Sequence, residues 1–132
     1  MRSTTFLLLA GAMLFAVAAF SHSHAAAPQE WDGDFHPAKV SYLSYSGSLS
    51  EKEPPKAGKQ KLSLMMEGQL AQELFASIGP DQKDACGEES GLRIRRRGDV
   101  SCTFDKDSKS YPYTCYIGVD IKTGKSTTGS IC

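Results

Sequence analysis

The chain has 132 residues, with 15 basic and 15 acidic side chains, 40% hydrophobic residues, 12 Gly, 6 Pro and 4 Cys. That length and balance leave room for one small globular domain. The formal net charge of zero excludes a general nucleic-acid binder, which needs a basic excess whose counterion release drives affinity.

Arg2 precedes an uncharged apolar run over residues 6–20 (FLLLAGAMLFAVAAF), and Ser23-His24-Ala25 follows with small residues where a signal peptidase cuts. Fifteen apolar residues fall short of a hydrocarbon core about 30 Å thick. Residues 1–25 are therefore expected to be a cleaved secretory signal. The mature chain would begin at Ala26, be periplasmic or secreted, and have no membrane span. Cleavage removes Arg2, His22 and His24, leaving 14 basic and 15 acidic groups and a single histidine, His36.

Residues 26–38 (AAPQEWDGDFHPA) show no periodicity and read as an irregular N-terminal arm, followed by a single domain over 39–132. Residues 39–49 have the β-branched, aromatic and Ser content of a first strand ending near Gly47. Residues 50–60, with Pro54-Pro55 and Gly58, read as an exposed loop. Leu62, Leu64 and Met66 alternate as in a strand. The spacing then changes to Met66, Leu70, Ala71, Leu74, Phe75 and Ile78, an apolar stripe of helical period that Gly79-Pro80 terminates. Leu92 and Ile94 alternate with Arg93 and Arg95 up to a turn at Arg97-Gly98-Asp99. Val100, Cys102 and Phe104 then share one face of the next strand. After a turn over 106–110, Tyr111, Tyr113, Cys115, Ile117, Val119 and Ile121 line one face of the clearest strand, and a turn at 122–125 leads to a short last one. The expected fold is α+β: a small antiparallel β-meander of four to five strands packed against one α-helix, with a disulfide-stabilised C-terminal half.

Cys86, Cys102, Cys115 and Cys132 form no CxxC pair or zinc ladder, and in an exported small domain an even count reads as two disulfides. If the hairpin centres on residues 107–110, Cys102 opposes Cys115 and Phe104 opposes Tyr113, all facing the core. The rival register, opposing Cys115 with Cys132, turns Thr128 and Ser130 inward. The preferred pairing is Cys102 with Cys115 and Cys86 with Cys132.

Nucleophilic catalysis needs a base beside the nucleophile. His36, the one candidate, lies in the arm before Pro37, and the chain has no nucleophile elbow, HExxH helix, phosphate loop or dinucleotide fingerprint. Asp32, Asp34 and His36 alternate but form only a weak cation site, so no metal or cofactor is expected. Arg93, Arg95 and Arg97 would lie together on the solvent face of one strand, three guanidinium forks able to grip carboxylates or phosphates. The same charges would equally keep an edge strand from aggregating. The expected function is an exported non-enzymatic binding module, inhibitor-like or immunity-like, docking on a protein with an acidic surface. One alternative is an envelope-associated protein holding an anionic polymer on the Arg93 to Arg97 strand. Another is a small hydrolase using carboxylates such as Glu88 and Glu89.

Overall fold

The computed structural model describes residues 31–83 and 91–131. The expected signal segment, Cys86, Cys132, Glu88 and Glu89 lie outside the described residues. The backbone divides into two units, Met1–Asp34 and Phe35–Cys132. In the first, the Asp34 N–H donates to Asp32 Oδ1 at 2.9 Å. The second contains, in chain order, β1 (Lys39–Gly47), β2 (Lys52–Glu53), β3 (Lys61–Glu67), α1 (Gln69–Ile78), β4 (Arg93–Arg97), β5 (Val100–Phe104), β6 (Tyr113–Asp120) and β7 (Ser126–Thr127).

All strands join one antiparallel sheet in the order β2, β1, β3, β6, β5, β4, with β7 pairing β6 beyond the end of β5. Four to five strands is thus an undercount: seven strands and a ten-residue helix make the domain mostly β with one small helix. The strand missing from the expected element order is Lys52–Glu53, two residues within the stretch read as a loop and too short to carry a period, whereas Ser126–Thr127 is the short last strand expected after the turn at 122–125. The loop expected at 50–60 is pinned by the buried Ser46, whose Oγ accepts the Lys56 N–H (2.9 Å) and donates to the Lys59 carbonyl (3.1 Å). The sheet is also more than a meander, because β6 returns past β5 to pair with β3, from Lys61 opposite Asp120 to Glu67 opposite Thr114.

The expected register of the β5–β6 hairpin is the observed one. Cys102 opposes Cys115, Phe104 opposes Tyr113, and the two cysteines form a disulfide. One face of the sheet carries α1, whose period brings Ala71, Phe75 and Ile78 inward against Cys102 and Cys115, with Met66, Leu74, Val100, Phe104 and Tyr113 around them. The Phe75 ring centroid lies 5.3 Å from that of Tyr113, which lies 4.9 Å from that of Phe104, a tilted aromatic trio beneath the helix.

The opposite face is covered by the C-terminal segment. Ser63, Gly118 and Ser101, all small, form its bed. Ser63 Oγ donates to the Gly129 carbonyl at 2.6 Å, and the Ser101 and Ser130 hydroxyls lie 2.8 Å apart. Gly129 sits so close that a Cβ there would run into the backbone of Ile117, and a Cβ on Gly118 would meet Thr127 and Thr128. These two glycines let chain and sheet approach to backbone contact. Gly129→Ala should therefore destabilise the domain by about 1 to 3 kcal/mol, read from the urea midpoint. An unchanged midpoint would show that this segment is not packed on the sheet.

Candidate functional site

Arg93, Arg95 and Arg97 do share one face of β4, but it is the face that carries α1. They oppose Phe104, Cys102 and Val100, which pack against the helix, whereas Ile94 points to the other side and is buried there. Strand alternation groups these residues correctly without saying which group faces inward, and taking the apolar Ile94 as the core side inverts the strand. The arginines consequently meet the C-terminal end of α1.

That end has orphan carbonyls and the negative pole of the helix dipole, and no basic residue in its own last turn. Arg95 supplies what is missing. Its side chain is 17% exposed, Nη1 donates to the Phe75 carbonyl at 2.7 Å, Nε donates to Asp81 Oδ1 at 2.6 Å, and the guanidinium lies 4.2 Å from the Phe75 ring centroid. Arg97 Nη2 donates to the Ile78 carbonyl at 3.1 Å, and Arg93 Nε meets Asp81 Oδ2 at 2.7 Å. Asp81 thus bridges Arg93 and Arg95, and their hydrogen bonds, Arg93's foremost, hold its carboxyl below the usual carboxylate range.

Arg95 is therefore a structural cap, while Arg93 and Arg97 keep exposed surface. Arg95→Leu should cost about 1.5 to 3 kcal/mol through the lost charge-assisted hydrogen bonds. Arg93→Ser, at an exposed pair, should cost less than about 1 kcal/mol. Equal small shifts of the denaturation midpoint would remove the capping role. Because the folded state lowers the pKa of Asp81, its contribution is present at neutral pH and is lost as pH falls below about 4. Asp81→Asn should flatten the acid side of the stability profile. An acid limb identical to wild type would exclude this carboxylate as its source.

A second site lies on the opposite face. A groove of about 390 Å³ runs between β1 and the C-terminal segment, lined chiefly by Leu43, Leu49, Met65, Tyr116 and Ile131. Leu43 is 41% and Ile131 68% exposed, so aliphatic surface stands open at the groove's rim. Burial, with Glu67 adding to it, pushes the Tyr116 phenol upward, so it remains a neutral hydrogen-bonding group on an apolar floor. None of the groove's aliphatic residues was singled out by the sequence. Leu43 follows Val40 and Tyr42 at an odd position, out of phase with them.

Trp31 and Phe35 are exposed, Tyr111 lies 3.7 Å beneath the Lys39 ammonium, Tyr113 is in the core and Tyr116 is in the groove. Among the described residues no helix is long and apolar enough to cross a membrane. The chain matches no known family model, no curated protein and no solved structure.

Proposed function

We propose that the mature chain is an exported, non-enzymatic module that docks on another protein through the groove between β1 and the C-terminal segment, taking one or two apolar side chains of the partner. The observation that carries this reading is the apolar lining of that groove, with Leu43 and Ile131 exposed at its rim. A concave apolar pocket that admits a partner's anchor side chain is the usual seat of binding energy in a protein interface. Export accords with the apolar run of residues 6–20 and with the Cys102 to Cys115 disulfide, a bond that persists in oxidising compartments. The absence of cofactor or catalytic chemistry in this reading follows from a mature sequence with one histidine in an irregular arm.

A second reading rests on Arg93 and Arg97, which stay exposed at the β4 edge. There they would meet an acidic protein surface or an anionic envelope polymer. Salt separates the two. Capture of a partner from an envelope extract through the groove should survive moderate salt and fall at least tenfold in a Leu49→Ser, Ile131→Ser double variant. Capture that disappears in salt and in an Arg93→Ser, Arg97→Ser variant, while the groove variant binds normally, would transfer the function to the arginine strand.

A further inference from the structure

The two edges of the sheet are chemically unlike. On one side β4 carries Arg93, Arg95, Arg96 and Arg97, and the Gln82 N–H donates to its Ile94 carbonyl at 2.7 Å, so that edge is charged and partly covered. On the other side β1 runs in unbroken register against β3 from Lys39 opposite Glu67 to Tyr45 opposite Lys61. Its outer edge meets β2 only at Ser46 and Gly47. Over residues 39–45, therefore, the backbone groups on that side have no strand partner among the described residues. Natural edge strands are normally blunted by proline, a bulge or a row of charges. This stretch has none of the three: its single charge, Lys39, is already neutralised by Glu67 at 3.1 Å. Tyr42, at its centre, is 74% exposed and Val40 47%.

We infer that the occupant of this edge is a second copy of the chain, added antiparallel about a two-fold axis through Tyr42. The length of the open edge sets the register. It is bounded at one end by β2, which takes up Ser46 and Gly47, and at the other by the start of β1 at Lys39, with Pro37 just before it. Only pairing centred on Tyr42 lets residues 39–45 of both copies engage completely, with each β2 beginning where the other copy's β1 starts. A slip of two residues toward the C-terminal end would drive one β1 into the other copy's β2, and a slip the other way would set Tyr45 against Pro37, which has no N–H to give. In this register Tyr42 meets its own symmetry mate, Val40 meets Ser44, Ser41 meets Leu43, and Lys39 meets Tyr45. No like charges face each other, and apolar or small side chains oppose one another on both faces. The same operation at β4 would set four arginines against four. Self-complementarity thus belongs to one edge alone, and it favours a second copy over an unrelated extended peptide, which would need no such symmetry.

The test uses the exported, processed protein. Sedimentation equilibrium over a range up to about 100 µM should give twice the monomer mass at the upper end. Tyr42→Lys, which sets two ammonium groups opposite each other on an exposed position, should weaken association by about tenfold or more while leaving the thermal unfolding curve unchanged at dilutions where both proteins are monomeric. Tyr42→Cys should form an interchain disulfide on mild oxidation. Opposed Cα atoms in an antiparallel pair lie about 4.5 to 5.5 Å apart, within disulfide reach. Val40→Cys should not cross-link, since the two-fold separates that residue from its mate by roughly 13 Å. A wild-type monomer at the highest concentration overturns the inference, as does a dimer that Tyr42→Lys leaves intact and Tyr42→Cys fails to trap. If the protein is instead monomeric and loses capture of another protein on Val40→Lys, at a β1 position outside the groove lining, the edge belongs to a foreign strand and the second copy is excluded. Because Ser41, Tyr42 and Leu43 also line the groove, the groove is probed through Leu49 and Ile131, outside β1, and the edge through the oligomeric state, so failure of one proposal leaves the other standing.

Discussion

The ladder between β3 and β6 is the interaction on which the rest of the molecule depends. It joins two pieces of local origin: the β1–β3 pair with its intervening loop, and the β4–β5–β6 meander. Across this seam Met66 comes opposite Cys115, and α1, which follows β3 after a single residue, folds back over the join. The stripe of α1 packs mainly on the meander, through Cys102, Cys115, Val100, Phe104 and Tyr113, and Met66 of β3 completes its cover from across the seam. The Cys102 to Cys115 disulfide spans only 13 positions, within the meander, so it reinforces one side of the seam and cannot substitute for it.

The helix is a dependent element. Ten residues are fewer than an isolated helix needs. It has no side-chain hydrogen bond at its N-cap, no acid in its first turn and no base in its last. Its stability must come from the buried stripe and from the arginines of β4 that reach the Phe75 and Ile78 carbonyls. This dependence divides the conspicuous Arg-rich strand by role. A guanidinium committed to a helix carbonyl and to Asp81 would leave both unsatisfied if an external anion drew it away, so Arg95 is the least suited of the three to bind a partner. Arg93 and Arg97 are less constrained because their exposure lowers the cost of exchanging partners.

What was legible in the sequence follows from which signals are local. The helix stripe from Leu70 to Ile78, the alternation of β6 and the β5–β6 register all rest on spacing within one element or one hairpin, and they stand in the structure, except that Tyr111 and Ile121 fall outside β6 and are exposed. The pairing of β3 with β6 joins residues more than 45 positions apart, and no period announces it. The inverted face of β4 has a different cause: polarity is a poor guide to exposure beside a helix end, an inward-facing site that calls for cations. Ile94 is buried on the far side, where a hydrophobic residue would not be sought if the sheet had only one packed face. The bed of the C-terminal segment was readable in principle. Ser63, Ser101 and Gly118 are small residues on one face, and small residues in a strand mark close approach of another backbone.

That two-faced packing bears on what the proposed dimer would present. Residues paired across an antiparallel two-fold project to the same side of the merged sheet, so the surface that carries the groove in one copy is continuous with the same surface in the other. Ser41 and Leu43 of β1 lie both on that face and beside the two-fold, which brings the two grooves next to each other across the new strand pair. The helices gather on the opposite side, away from any partner seated in the grooves. Two adjacent apolar sites fixed on one rigid sheet favour a partner that offers two anchor side chains, because seating the first raises the effective concentration of the second. Self-association through β1 and docking through the groove would then be successive steps, the first setting the spacing that the second uses.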